Sequence, residues 1–259
     1  MPSIKSGLKK AWTIFLVPIV LFVLWYTLSA GSTSFFFPPL QKILVAFNRT
    51  WISSDRWATD IVPSLMRLGA GFLIALVIAL MLGVLLGSSK VARDYSEPVL
   101  EFFRAIPPTV MIPVLLVISG IGNTSKVAVI AFGCLWPMLL NTIEGVRGVD
   151  SLLKDTCSIY RINGVSRLRL LTLRAASPQI VTGMRTGLSI GIILMVISEM
   201  FASRDGLGFT VIQFQRTFAI PEMWSGILLL GIIGVALSLL MRGFEMVVLR
   251  WYEGARQAG

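Results

Sequence analysis

The side chains of this sequence that could do chemistry are few, and the most conspicuous are carboxylates within apolar runs. Glu144, Glu199 and Glu245 lie inside or at the ends of such runs. An ionisable group in a membrane span is costly and is a functional hypothesis by default. We favour a structural role for Glu199, paired to a nearby arginine or capping the following loop. The alternative is a position beside a transport path.

Catalytic sets are missing from the sequence. There is no histidine, which removes the commonest general base and metal ligand. Cys134 and Cys157 lie in different environments, so we expect no disulfide. SGIGNTSK (Ser119–Lys126) lacks the spacing of a phosphate-binding loop and predicts a tight outer turn, with Gly120, Gly122 and Asn123 at positive φ. We expect no catalytic residue, metal site or cofactor in this chain, which argues against an intramembrane enzyme.

The composition is that of a membrane protein. The 259 residues are 55% hydrophobic and only 14% charged, with a mean hydropathy of +0.81. A soluble domain carries about 25% charged residues. The net charge of +10 comes from basic residues at the ends of apolar runs, not interleaved with aromatic side chains. The expected surroundings are therefore membrane lipid, and no nucleic acid partner is expected.

Six apolar runs predict an all-α protein with six transmembrane helices, each about 20 residues long. The runs cover residues 11–30, 63–86, 99–119, 126–143, 180–201 and 224–248. We expect the third run to be broken, because Pro107, Pro108 and Pro113 cannot donate to a helix. Small residues in the second run, among them Gly83 and Gly87, favour close helix packing.

The basic residues predict the orientation of these spans. With the N-terminus inside, thirteen lysines and arginines fall in inner segments and six in outer ones, so both termini are expected in the cytoplasm. Residues 1–61 then form one helix plus an outer amphipathic segment, in which Leu40, Ile43, Leu44, Phe47 and Trp51 share a face. Residues 62–252 form the core, and residues 253–259 a cytoplasmic tail.

The longest cytoplasmic segment, residues 150–178, is basic and has helical spacing. Asp150 is positioned to cap a first helix whose opening turn holds an acid. Asn163-Gly164 predicts a turn before a second helical piece, Ser166–Leu173. A solvated loop that only sets topology would explain the arginines but not the apolar stripe. We therefore favour a docking surface below the membrane.

Three stretches resemble a known family in the same order. They are RAIPPTVMIPVLLVISGIG (104–122), WPMLLNTIEGVRGVD (136–150) and SEMFASRDGLGFTVIQF (198–214). They resemble the permease subunit of bacterial ABC importers, closest to the nitrate, sulfonate, taurine and bicarbonate group, over about residues 64–252. The resemblance implies a type I importer permease fold in the bacterial inner membrane.

The family's coupling motif has Glu-Ala-Ala, then Gly, then Leu-Pro. Asp155 stands at the Glu position, Cys157 at an Ala, Arg161 at the Gly, and Leu173-Arg174 at Leu-Pro. Arg161 departs most, so we expect the turn to shift to Asn163-Gly164, with Pro178 stopping the segment before the fifth span. The resemblance implies these ATPase-coupling residues: Asp155, Thr156, Cys157, Tyr160, Arg161, Asn163, Gly164, Ser166 and Arg167. It also makes Pro107, Pro108, Asn141 and Glu199 translocation-path candidates.

The resemblance also implies partners. ATP and magnesium would be bound by an ABC ATPase dimer, and substrate would arrive on a periplasmic or lipid-anchored binding protein. The degenerate motif favours a second, different permease chain, with two copies of this chain as the alternative. The substrate is expected to be a small solute, such as a sulfonate, taurine, nitrate or bicarbonate. The rival hypothesis is an ion-gradient-driven transporter or channel, whose inverted repeats and paired midplane acids are not found in the sequence.

Overall fold

The computed structural model describes residues 4–252 as helices joined by short turns, with no β-strand in that range. Side chains are described from residue 16 onwards, except at position 202. The expected cytoplasmic tail, residues 253–259, lies outside the described residues. The helices are α1 Ile4–Ser29, α2 Leu40–Phe47, α3 Val62–Ser88, α4 Lys90–Ala105, α5 Met111–Ser119, α6 Asn123–Arg147, α7 Ser151–Ile159, α8 Gly164–Arg167, α9 Leu173–Ala202, α10 Leu207–Arg216 and α11 Ile220–Val248. Short π-helical turns extend α2 through Asn48–Ile52, precede α3 at Trp57–Ile61 and join α8 to α9 at Leu168–Thr172.

Four of these helices are long and apolar enough to cross a membrane. They lie in the stretches Trp57–Ser88, Asn123–Arg147, Gly164–Phe201 and Ile220–Val248, and a shorter apolar helix covers Leu16–Ser29. Their exposed surface is rich in large apolar side chains, which would be unfavourable in water. The fold is therefore that of a multi-pass membrane protein.

The chain divides into two compact units. One, the N-terminal unit, contains residues 4–58 together with 210–230, and the other contains residues 59–209 and 231–252. Most of α10 and the start of α11 therefore belong to the N-terminal unit.

The core of the larger unit is formed by α3, α6 and α9. On three glycines of α3, a Cβ atom would come within 2.5–2.7 Å of α6: Gly71 meets Ile130, Gly83 meets Thr142 and Gly87 meets Val146. The residue numbers of these contacts increase in the same direction along both helices, so α3 and α6 run parallel. The close packing expected of Gly83 and Gly87 is confirmed, and it depends on the missing side chains.

The third core helix, α9, runs antiparallel to α6. Glycines again mark the contacts: Gly191 lies against Cys134, Gly183 against Asn141, and Gly145 against Gln179. Residue numbers fall on α9 as they rise on α6, so the C-terminal end of α9 lies beside the N-terminal ends of α3 and α6. At the other end, Arg185 donates to Glu245 of α11 at 2.6 Å.

The return from the end of α3 to the start of α6 is a broken segment. Because α3 and α6 are parallel, the chain must travel back between Ser88 and Asn123. The expected third span, 99–119, is divided between α4 and α5 by an irregular stretch, 106–110. The break at Pro107-Pro108 is as predicted. Pro113 does not break α5, because it lies in the first turn, where backbone N–H groups have no helical partner.

Pro178 was expected to stop the cytoplasmic segment, and this prediction is wrong. Helix α9 begins at Leu173 and continues through Pro178 to Ala202. Proline leaves the carbonyl four residues earlier without its backbone donor. Here that carbonyl belongs to Arg174, and the Ser177 hydroxyl donates to it at 2.8 Å. The replaced hydrogen bond lets the helix pass the proline.

The N-terminal unit packs its short helix against protein. Leu40 and Ile43 of α2 are each 1% exposed, and the Leu40 N–H donates to Ser29 at 3.1 Å. Trp51 is buried too, and its indole N–H donates to the Ser225 hydroxyl at 3.0 Å. The amphipathic helix is present as predicted, and its apolar face is used for packing, with Leu44 left exposed.

Candidate functional site

The segment between α6 and α9 begins with a capped helix. The Asp150 carboxylate accepts a hydrogen bond from the Leu152 N–H at 2.9 Å, which satisfies a free donor at the start of α7. The cap is as predicted. The first turn of α7 contains no acid, contrary to expectation, because Asp155 lies in its second turn. Asp155 is exposed.

Helix α7 ends in a Schellman motif. The Ile162 N–H donates to Cys157 at 2.8 Å, and the Arg161 N–H donates to Ser158 at 3.1 Å. This pattern needs a left-handed residue at the position of Arg161, and Arg161 has φ 53°. The turn therefore has not shifted to Asn163-Gly164, and the prediction of a shift is wrong. Arginine occupies the left-handed position that usually belongs to glycine.

The turn after Arg161 leads directly into α8. Gly164, at φ 57°, starts that helix, which continues through a π-helical turn into α9. The second helical piece was expected at Ser166–Leu173; it is instead the beginning of a continuous helical run into the membrane. Further along that run, the Arg174 guanidinium lies 5.5 Å above the Trp251 ring.

The predicted coupling residues lie on one contiguous segment. Cys157 and Arg167 are half-buried, and the exposed members are Asp155, Thr156, Tyr160, Arg161, Asn163, Gly164 and Ser166. Apolar side chains beside them also face outwards: Leu152 is 69% exposed, Ile159 79%, Tyr160 74% and Val165 78%. Because α7 is outside the membrane-length stretches, this apolar surface needs an explanation other than lipid.

A buried ion pair occupies the opposite end of the core helices. The Arg67 guanidinium of α3 donates to the Glu199 carboxylate of α9 at 2.7 Å, and the two side chains are 4% and 0% exposed. Glu199 also accepts from the Ser64 hydroxyl at 2.8 Å and from the Gly208 N–H at 3.0 Å. This carboxylate is thus fully engaged, as the structural hypothesis for Glu199 required.

The same arginine ties the loop after α9 to the bundle. Arg67 forms an ion pair with Asp205 and donates to Asn123 at 2.8 Å. The Gly206 N–H donates to buried Asp60 at 3.3 Å. Gly206 has φ 107°, and a Cβ there would lie 2.6 Å from the Glu199 carboxylate. Glycine is thus required for the loop to approach this charge so closely.

The sequence indicated a nearby arginine as the partner of Glu199 but did not indicate which one. It also predicted that Lys126 lies in the outer turn. Lys126 is in fact in the first turn of α6 and only 4% exposed, and no hydrogen bond or ion pair joins it to a described residue. Of the expected positive-φ positions, only Gly120 has that geometry. One signal in the sequence was available: ionisable residues within membrane spans usually pair with one another, and Arg67 and Glu199 both lie within predicted spans.

An aromatic stack lies beside the broken segment. Pro108 comes within 3.3 Å of a Cβ placed on Gly133, and Phe103 stacks on Trp136 with ring centroids 6.1 Å apart. The Trp136 indole nitrogen is fully enclosed and has no hydrogen-bond partner among the described residues. The break therefore has an unused hydrogen-bond donor next to it.

The four path candidates are not brought together. Positions along α6 give the separation. Pro108 lies beside Gly133 of α6, whereas Glu199 binds Arg67, which in turn contacts Asn123 at the start of α6. At 1.5 Å per residue, these levels are about 15 Å apart. Asn141 is about 12 Å further along the same helix, and its amide donates to the Pro137 carbonyl at 2.8 Å. Pro107 is exposed in the break.

Comparison with known families explains this arrangement of helices. A family model described as "Binding-protein-dependent transport system inner membrane component" matches residues 71–252. The chain belongs to this family. It is a membrane permease component of a binding-protein-dependent transport system, as the three sequence stretches had indicated.

Several relatives in this family are named for sulfonate, taurine or nitrate transport. SsuC of Bacillus subtilis (strain 168), to which aliphatic sulfonate transport is ascribed, is 28% identical over 96% of this chain and 93% of its own length. The taurine transport system permease protein TauC of Escherichia coli (strain K12) is 27% identical over 90% and 87%. The nitrate import permease protein NrtB of Synechocystis is 28% identical over 88% and 86%. The expected resemblance to this group is confirmed.

A solved structure supports the fold. A chain of the MetNI methionine ABC transporter, in inward-facing conformations, superposes with a TM-score of 0.62 at 21% identity. The match covers 73% of this chain and 94% of that one. At this identity the likeness shows the fold alone, and it confirms the all-α importer permease architecture.

Proposed function

We propose that this chain is the six-span permease subunit of an ATP-driven importer in a bacterial inner membrane, and that residues 150–178 bind the ATPase. The observation that carries the proposal is the exposed apolar surface on α7, which lies outside the membrane-length stretches, and on the adjoining first turn of the run that begins at Gly164. With α1 and the broken α4–α5 segment each counted once, the long helices make six crossings. An even number of crossings leaves both termini on the same side, and the bias of lysine and arginine assigns that side to the cytoplasm.

The coupling surface is suited to a groove in a protein partner. It combines Ile159, Tyr160 and Val165, each more than 70% exposed, with the charges of Asp155 and Arg161. Apolar and aromatic anchors ringed by charge are the usual composition of a protein-binding surface. A cap at Asp150 and a Schellman motif at Arg161 end α7 on both sides, so it can transmit motion as a short rigid element.

The remaining partners follow from this assignment. The ATPase is proposed as a dimer that binds ATP and magnesium, because this chain has no phosphate-binding loop. Two permeases enclose the path, with a different second chain favoured, and a periplasmic or lipid-anchored binding protein delivers substrate. The substrate class proposed is a small anion such as a sulfonate, taurine, nitrate or bicarbonate, by analogy with the relatives' names.

Within the path, we assign different roles to the four candidates. Pro107 and Pro108 lie where the backbone is irregular, and irregular backbone at membrane depth is tolerated where it lines a cavity or is covered by protein. Asn141 is half-buried on α6 and is retained as a path residue. Glu199 is proposed to brace the outer end of the bundle, because Arg67, Ser64 and Gly208 already engage its carboxylate.

Reconstitution tests the function. The permease is incorporated into liposomes with the ATPase inside and the binding protein outside, and uptake of labelled sulfonate, taurine, nitrate and bicarbonate is measured. We expect uptake of one of these anions that requires both ATP and the binding protein. Uptake that persists without the ATPase and follows an imposed ion gradient would instead establish a secondary transporter.

A further inference from the structure

An apolar cavity of about 460 Å³ lies within the N-terminal unit, next to the turn between α10 and α11. Its walls include Phe36, Ile212, Phe218 and Met223, and Gln215 and Arg216 are at its polar edge. Phe36 and Phe218 are 66% and 63% exposed. Nothing in the coupling mechanism or the transport path uses this cavity.

The tryptophans beside the cavity indicate that it lies at the level of the membrane–water interface. Trp224, in the second turn of α11, donates its indole N–H to the Phe36 carbonyl at 3.0 Å. Its ring centroid is 5.8 Å from that of Phe37 and 6.1 Å from that of Trp25, which lies inside the apolar helix Leu16–Ser29. Tryptophans at the ends of spans sit at the membrane–water interface. The loop with Phe36 and Phe37 therefore folds back alongside the spans and does not project into water.

The position of the cavity and the type of its side chains together indicate which molecule binds in it. Phenylalanine has no polar atom, and at this depth its exposed ring meets acyl chains. A water-soluble binding protein does not reach such a surface, whereas the lipid that surrounds α1 and α11 is continuous with it. The cavity is therefore part of the lipid-facing surface of the protein.

The polar edge of the cavity favours a ligand with a negatively charged head group. Arg216 is exposed, and no hydrogen bond or ion pair joins it to a described residue. Each basic residue near a membrane surface strengthens binding to anionic lipid, and a guanidinium matches phosphate geometry well. Apolar walls next to one free guanidinium make a site for an acyl chain with an anionic head.

The backbone is strained to hold this site. Phe218 has φ 57°, a conformation that is rare for a bulky side chain. It is the left-handed residue of a Schellman motif, in which the Ala219 N–H donates to Phe214 at 2.9 Å and the Phe218 N–H to Gln215 at 3.2 Å. Glycine would fit this position without strain, so the ring needs a separate reason to be there.

We propose that this cavity binds an anionic phospholipid of the outer leaflet, with an acyl chain against Phe36 and Phe218 and the phosphate at Arg216. Lipid binding at this site does not depend on the importer assignment, but its placement in the outer leaflet rests on the topology proposed above. Arg216 supplies the selectivity for an anionic head, and the strained Phe218 supplies a wall for the chain.

The test uses the full permease complex, purified in detergent and stripped of lipid. Phosphatidylglycerol or phosphatidylcholine is added back, bound lipid is counted by native mass spectrometry, and thermal unfolding is recorded. We expect Arg216→Gln to weaken phosphatidylglycerol binding about fivefold. Arg204→Gln, at another exposed outer arginine, serves as the matched control and should bind as the parent protein does.

Phe218→Gly separates lipid binding from folding. It removes the wall but relieves the left-handed strain, so unfolding without lipid should occur at an equal or higher temperature while the gain from phosphatidylglycerol is lost. A lower unfolding temperature without lipid would assign the ring a packing role and overturn the proposal. The proposal is also overturned if Arg216→Gln retains full phosphatidylglycerol binding, or if inorganic phosphate alone reproduces the gain.

A cysteine cross-link addresses the competing occupants. Phe218→Cys should react in membranes with a lipid-soluble maleimide. If it instead forms a cross-link to the binding protein or to the second permease, the cavity is a protein interface and the lipid proposal is wrong.

Discussion

Arg67 and Glu199 form an ion pair at 2.7 Å, although α3 and α9 contribute them from positions 132 residues apart. Both side chains are almost fully enclosed. Ser64, Asn123, Asp205 and Gly208 complete the network, so that three helices and the following loop meet at one buried charge pair. This end of the core is held by polar contacts and the remainder by glycine packing.

Removing one partner of this pair should destabilise the core severely. Arg67→Met leaves the buried Glu199 carboxylate without its counter-ion, which costs about 3–5 kcal/mol. Glu199→Gln should cost less, because Arg67 keeps its ion pair with the half-exposed Asp205. We expect a much lower unfolding temperature in detergent and reduced amounts of folded protein. Replacing both residues by methionine should cost less than either single change, because no unpaired charge remains.

The exposed pair Glu101–Arg104 is the control for this experiment. Its side chains are 54% and 51% exposed, and an exposed pair contributes about 0–1 kcal/mol. Arg104→Met should therefore leave the unfolding temperature nearly unchanged. Equal effects at Arg67 and Arg104 would contradict the assignment of a buried brace.

Arg161→Gly should be tolerated in the coupling segment. A left-handed arginine is disfavoured by about 1 kcal/mol, a strain that glycine does not have, although glycine loses more conformational entropy on folding. We expect equal or slightly higher stability, with ATPase binding weakened only by the loss of the arginine charge. Arg161→Val should impair coupling, because a β-branched residue is poorly accommodated at φ 53°. Substrate-stimulated ATP hydrolysis is the measurement, and equal activity of the two variants would show that the turn geometry does not matter.

Asp155→Lys should weaken the contact with the ATPase. The residue is exposed on α7 beside the apolar anchors, so charge reversal changes the surface without disturbing the buried core. We expect less ATPase to co-purify, or lower substrate-stimulated hydrolysis, with normal membrane insertion. Asp55→Lys, at an exposed acid in the N-terminal unit, is the control. Unchanged hydrolysis in Asp155→Lys would remove this residue from the coupling surface.

Gly83→Ala should loosen the contact between α3 and α6. A Cβ at this position would lie 2.5 Å from Thr142, too close for any relaxed contact. Overpacking of this kind costs about 1–3 kcal/mol. Gly231→Ala, in another membrane-length helix with no atom within 4 Å of the added carbon, should be neutral or slightly stabilising. Thermal unfolding of the two variants side by side gives the comparison.

Much of the fold could be predicted because hydrophobic runs and basic flanks act locally along the chain. The apolar runs indicated where the membrane helices lie, and Pro107-Pro108 marked the break between α4 and α5. Helix ends were less predictable. Pro178 did not end a helix, because a neighbouring serine replaces the missing hydrogen bond, and that replacement depends on a rotamer that composition does not show.

The candidate site, like the fold, could be predicted from the sequence only in part. By itself the sequence determined a membrane permease with a basic helical segment between two spans, since span length, charge bias and motif order are properties of consecutive residues. Only the tertiary structure decided that Arg67 is the partner of Glu199 and that Arg161 keeps the turn in place. It alone showed that Phe36 and Phe218 share a cavity. These relationships join residues distant in sequence or depend on a single backbone dihedral angle, and both arise only when the helices pack.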